Sequence, residues 1–210
     1  MYVNRVFLVR AVAVGVICAV AVGACSTSPD PGAASAPGGQ SVGTAGDDAA
    51  VLTPLEGAGG EDVQLTDGLR VTLPDGVTRE EDPSEIEGGQ WALFRMPDAD
   101  SDGLPNLQVV FGPIGSGASA EAEGQELILG LRDDVSGYER SSIRWPGAED
   151  AVVTTWTEGV TTVDGLADWE CLSLWVDTPD GMTVMAGVCT HPGQMKESTA
   201  LTALRTLRVG

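Results

Sequence analysis

From Leu69 onward, apolar and polar residues alternate in short runs separated by Pro-Gly and Asp-Gly pairs. This period of two predicts strands over Leu69–Leu73, Trp91–Met96, Leu107–Phe111, Tyr138–Ile143, Ala151–Thr157, Trp169–Val176, Thr183–Cys189 and Thr206–Val209. Most of these runs follow one another directly, which favours antiparallel pairing. Two stretches carry helical spacing instead. In Ser119–Val135, Leu127, Leu131 and Val135 recur every fourth residue behind Ser119 as N-cap; the second stretch is Gly193–Leu204. Runs of strands with two segregated helices predict an α+β domain, an antiparallel β-sheet flanked by helices.

The last hairpin is specified most closely. In Thr178-Pro179-Asp180-Gly181-Met182, Pro presets the first corner, Asp tolerates the second and Gly accepts the left-handed position. A Pro179–Gly181 loop sets Cys171 directly opposite Cys189, where facing α-carbons lie within disulfide reach. The same register puts Leu172, Leu174, Val176, Val184, Ala186 and Val188 on one face, the expected core. Trp169, Cys171, Trp175, Met185 and Cys189 fall on the other, with Trp175 opposite Met185. That second face needs a covering helix or something to bind, so Trp169, Trp175 and Met185 form a candidate binding face.

Before Leu69 the pattern changes twice. Residues 1–24 begin with Arg5 and Arg10 and continue through fourteen uncharged apolar or small residues, Ala11–Ala24, to Cys25. Fourteen helical residues span roughly 21 Å, short of the roughly 30 Å of a bilayer core, so the segment reads as an export signal. Residues 25–62 form a tether. From Ser26 to Gly60, 26 of 35 residues are Gly, Ala, Ser, Thr or Pro, too little apolar surface to offset the entropy of ordering. As a flexible coil it reaches roughly 30 to 35 Å. The globular domain is expected over residues 63–210.

Charge narrows the partners. The chain holds 11 Lys and Arg against 31 Asp and Glu, a net charge of −20. Such a surface repels phosphate backbones and acidic lipids, which excludes nucleic-acid binding. Cys18 lies within the leader, leaving Cys171 and Cys189 as an even pair in the exported domain; outside the cytosol such a pair forms a disulfide.

Chemistry is sparse. The one histidine, His191, precedes Pro192 at a strand-to-helix junction and is expected in a loop. No Gly-x-Ser-x-Gly elbow, phosphate loop or dinucleotide fingerprint occurs, so no catalytic residue is assigned. Asp98-Ala99-Asp100-Ser101-Asp102-Gly103 resembles an Asp-x-Asp-x-Asp-Gly calcium loop, with Asn106 at the ninth place. Asp98, Asp100, Asp102 and Asn106 are therefore candidate calcium ligands. Val109 stands where the helix-loop-helix version has its bidentate Glu. No other cofactor is expected.

Two resemblances complete the picture. Val22-Gly23-Ala24-Cys25 resembles the lipobox of bacterial lipoproteins, which implies acylation of Cys25 and anchoring to the outer face of the cell membrane. Cleavage after Ala21 or Ala24 with release of a soluble protein is the alternative. Val71-Thr72-Leu73-Pro74-Asp75-Gly76, the run Pro97–Val110, Ser136-Gly137-Tyr138 and Leu207-Arg208-Val209 together resemble the actinobacterial LpqN-type lipoproteins. That resemblance implies a PsbP-like α/β/α sandwich with envelope contacts to protein or lipid and no catalytic motif. The resulting expectation is a non-enzymatic envelope protein that binds a partner protein or an apolar ligand. A carboxylate-dependent hydrolase and a calcium-stabilised adhesion module are the alternatives.

Overall fold

Strand alternation and turn chemistry produce ten strands and two helices in the computed structural model. It describes residues 52–56, 59–80, 90–112, 116–162 and 164–210. Residues 1–51, which hold the expected leader with Cys18, the expected lipid site Cys25 and most of the expected tether, lie outside them. The strands are β1 (Glu61–Thr66), β2 (Leu69–Leu73), β3 (Thr78–Arg79), β4 (Gln90–Arg95), β5 (Asn106–Gly112), β6 (Val135–Ser142), β7 (Asp150–Thr162), β8 (Gly165–Asp177), β9 (Thr183–Thr190) and β10 (Arg208–Val209). The helices are α1 (Ala118–Leu129) and α2 (Thr199–Leu204), the latter preceded by a 3-10 turn at Met195–Glu197.

Seven strands form one antiparallel sheet in the order β3-β4-β5-β9-β8-β7-β6, and β1-β2-β10 form a second. The chain is thus α+β, with strands predominating. The large sheet's inner face carries Phe94, Leu107, Val109, Leu174, Val184 and Val188, each at most 1% exposed. Against it pack the small sheet through Leu69 and Val71, and α2 through Leu201 and Leu204. Each such aliphatic side chain contributes about 1.5–3 kcal/mol by leaving water. Helix α1 lies on the opposite face, against β6, β7 and β8.

Three expectations need correction. The domain begins earlier than residue 63, because Leu52 is 3% exposed within the core and the Leu55 amide donates to Arg205 O at 2.8 Å. The second helix is not continuous from Gly193. Ser198 adopts an extended conformation and its Oγ accepts from the Ala200 and Leu201 amides, so α2 starts afresh there.

The third concerns α1, which ends at Leu129 rather than near Val135, a residue that opens β6. Its buried stripe is Ala118, Ala122 and Leu129, not Leu127 and Leu131. Nor does Ser119 cap it. Gly117, at φ +97°, precedes the helix, and the Ala118 amide donates to the Asp177 carboxylate, which stands where a cap side chain would.

Candidate functional site

The hairpin β8–β9 has the expected register. Cys171 pairs with Cys189 and the two form a disulfide with α-carbons 4.2 Å apart. Gly181 takes φ +85° in the turn, and Thr178 closes it with its amide to Met182 O at 2.9 Å and its hydroxyl to Asp180. Leu172, Leu174, Val176, Val184, Ala186 and Val188 are all buried, as their shared face requires.

The opposite face divides into two parts. Trp175 faces Met185, and its indole N–H donates to Gln125 Oε1 of α1 at 3.3 Å, beside Thr154 Oγ1, which reaches the same oxygen at 2.8 Å. Tyr138 OH donates to Ala122 O at 2.9 Å. One strand after another therefore ties α1 down over the Trp175 end by polar contacts. Burial and the nearby Glu126 carboxylate push the Tyr138 phenol up to about 12, against a hydrogen bond with Thr154 and the Arg140 charge.

Further along the same face, Trp156 pairs with Cys171 and Trp169 with Glu158. The indole N–H groups of Trp156 and Trp169 are buried and make no hydrogen bond among the described residues. The side chains there within metal-ligating reach of one another are Glu158, Cys171 and Cys189, and both sulfurs are consumed by the disulfide.

The long hairpin β7–β8 outruns its neighbours. β6 stops pairing at Glu158 and β9 at Glu170, so the segments around Gly159 and Asp168 project as a two-stranded ribbon. Arg132, just past α1, clamps the base of that ribbon by donating to Glu158 at 2.7 Å and to Asp134 at 2.8 Å. The hydrogen bond from Arg132 holds the Asp134 carboxyl below its ordinary value. Leu127, Ile128 and Leu131 are exposed at the end of α1 and just past it, and Leu166 is exposed near the ribbon's turn, on the register face opposite α1. The spacing of Leu127 and Leu131 was legible in the sequence, but it points to solvent instead of core. Leu166 carried no signal beyond its place next to a turn glycine.

The aspartate loop does not gather its carboxylates. Asp100 Oδ1 accepts from the Asp102 and Leu104 amides, and its Oδ2 meets His191 Nε2 at 2.5 Å. Asp98 accepts from Thr199 Oγ1 at 2.6 Å, and Asn106 donates to Gly103 O. Asp98 and Asp100 thus turn their carboxylates to separate protein donors, and Asp102 contributes its backbone amide to Asp100. Burial raises the Asp100 pKa, but the hydrogen bonds from His191, Leu104 and Asp102 outweigh it and leave the group below its ordinary value. His191 is a half-buried loop residue just past β9, a loop as expected, with a partner that sequence spacing did not reveal.

A shallow depression of about 210 Å³ opens beside the Met195 turn, lined by Glu139, Thr155, Thr157, Glu170 and Lys196. Glu170 there accepts the Gly193 amide at 2.7 Å, so one of its two carboxylates serves the backbone.

No family model matches the chain, and no curated relative matches it. A crystal structure of a protein from Bacteroides thetaiotaomicron is similar over 68% of this chain and 45% of that one, at 18% identity and a TM-score of 0.30. The match spans less than half of that protein's length. No described helix is long and apolar enough to cross a membrane.

Proposed function

We propose that this chain is a lipid-anchored, extracytoplasmic protein of the cell envelope, held by Cys25, whose α+β domain docks a partner protein and performs no catalysis. The observation that carries the docking role is the run of exposed apolar side chains Leu127, Ile128 and Leu131 at the end of α1 and just past it. A surface of this kind, rimmed by charge, is characteristic of protein interaction sites. The anchoring half rests on the leader, the Val22–Cys25 run and the Gly- and Ala-rich tether. The Cys171–Cys189 disulfide supports it, since such bonds persist outside the cytosol. A helix on each face of the large sheet agrees with an LpqN-type, PsbP-like sandwich, and we extend the proposal to that family.

An apolar or lipid ligand is the second form of this reading. It draws on the two indole N–H groups of Trp156 and Trp169 that lack partners among the described residues, because a buried donor calls for an acceptor. It loses ground where α1 sits over Trp175 through Gln125. A hydrolase would have to work from the shallow Glu139 and Glu170 depression, where Glu170 is already committed.

Native mass spectrometry of the protein taken from its own envelope tests the proposal. The expected species carries acyl mass on an N-terminal Cys25 and no stoichiometric small molecule. A mature N-terminus without acyl mass overturns the anchor, and a retained apolar ligand overturns docking in favour of a carrier.

A further inference from the structure

The inner face of the large sheet is not core throughout. Beyond Leu172 its positions turn polar: Glu139 pairs with Thr155, Thr155 with Leu172, and Thr157 with Glu170, all on the face that carries Leu174 and Val176. These residues of β6, β7 and β8 line the depression of about 210 Å³ together with Met195 and Lys196 of the 3-10 turn. Two contacts hold that turn in place. Met195 is 5% exposed and belongs to the core, and the Gly193 amide donates to Glu170 Oε2 at 2.7 Å. Lys196, the next residue after Met195, is thereby set at the edge of the depression, across from the strands.

The charges there are opposed and open. Lys196 is the one lysine of the chain, and it forms no ion pair among the described residues although Glu139 and Glu170 line the same depression. Glu139, Thr155 and Thr157 make no side-chain hydrogen bond among the described residues, and Glu170 keeps Oε1 free while Oε2 serves Gly193. A purely anionic ligand would meet the two carboxylates, and a purely cationic one would meet the lysine. A molecule carrying both charges satisfies each side. The depression is smaller than the roughly 300–1,000 Å³ of pockets for drug-sized ligands, so its occupant is small.

We propose that this depression binds a free α-amino acid as its zwitterion. The amino acid's carboxylate meets the Lys196 ammonium, its own ammonium meets Glu139 and the open oxygen of Glu170, and Thr155 and Thr157 offer hydroxyls to either group. Helix α1 lies on the other face of the sheet, so this site is independent of docking at the end of α1.

An open depression releases such a molecule during purification, so the ligand is added back. The full-length protein is purified in a mild non-ionic detergent with the disulfide intact. Saturation-transfer NMR then follows added L-alanine, propionate, ethylammonium and the dipeptide Ala-Ala. Propionate is alanine without its ammonium, and ethylammonium is alanine without its carboxylate. Alanine is expected to bind saturably and each half about tenfold more weakly, because each lacks one charge-assisted contact. Lys196→Ala and Glu139→Gln should each weaken alanine by about the same factor, and Asp75→Asn on a distant turn should not. Lys196→Glu combined with Glu139→Lys restores opposed charges and should recover binding that either reversal alone removes. Both positions are exposed, so circular dichroism should show an unchanged fold.

Propionate or ethylammonium binding as tightly as alanine overturns the proposal, since one charge then suffices. So does Ala-Ala binding in place of alanine, or alanine binding that survives both Lys196→Ala and Glu139→Gln. Absence of saturable alanine binding to the unaltered protein overturns it as well, and leaves the docking role untouched.

Discussion

The Ala118 amide donates to both carboxylate oxygens of Asp177 at 2.9 Å, across 59 residues of chain. The last residue of β8 thereby caps α1, and Thr183 Oγ1 steadies the same carboxylate at 2.8 Å. A carboxylate at a helix N-terminus satisfies an orphan amide and meets the positive end of the helix dipole. Asp177→Ala is expected to lower stability by about 1–2 kcal/mol in urea denaturation. An unchanged midpoint would mean that α1 is held by its packed stripe alone.

The disulfide closes a loop over a sequence separation of 18. In the chain-entropy model it contributes about 3 kcal/mol, so Cys171→Ser with Cys189→Ser should destabilise the domain by that order. The unreduced, unfolded mature protein should expose no labelable thiol from this pair. Two reactive thiols would contradict the bridge.

Tyr138 gives an alkaline signature. Its phenol is pushed up to about 12 by burial and by Glu126, so folding holds it neutral beyond its ordinary value of 10.0. Stability from this group is fully present below pH 10 and is lost as pH rises through about 12. Tyr138 is the one tyrosine within residues 25–210, so in that span tyrosinate absorbance reports it alone. Tyr138→Phe should abolish that alkaline step and, by removing the bond to Ala122 O, cost about 1 kcal/mol at neutral pH. A phenol titrating near 10 in the folded protein would show that α1 does not cover it.

Asp100 works at the acid end. Its depressed pKa means stability present above 3.8 and lost as pH falls through the lower folded value. Asp100→Asn should blunt the acid unfolding of the domain. At neutral pH the exposed pair with His191 is worth about 0.2–1 kcal/mol. Because Asp98 and Asp100 turn their carboxylates to protein donors, the melting temperature should be the same in millimolar calcium and in chelator. A rise with calcium would restore the metal site, since an ion bound to the folded state stabilises it by mass action.

Much of the large sheet was legible because its strands alternate and its turns carry Asp-Gly pairs. Cys171 opposite Cys189 followed from turn chemistry alone. β1 went unseen because Val63 and Leu65 are its only apolar residues, too few to mark a strand among Glu61, Asp62 and Gln64. Leu52 was hidden in a Gly- and Ala-rich tether, where one buried leucine makes no pattern. The error over α1 has a clearer cause. Its true inner stripe is built on Ala118 and Ala122, whose small side chains give little contrast, and on Gln125, which pairs with Thr154 and Trp175. The leucines supplied a stronger period and faced outward. The aspartate loop matched a cation motif by spacing, but spacing does not reveal that His191 and Thr199 lie within reach.

The most direct measurement is photo-crosslinking in intact cells, with a photoreactive residue placed singly at position 127, at 131, or at the control position 75 on an exposed turn. The account predicts one shared protein adduct from 127 and 131, absent from 75. Adducts formed equally from all three positions, or none from 127 and 131, would contradict a docking surface at the end of α1.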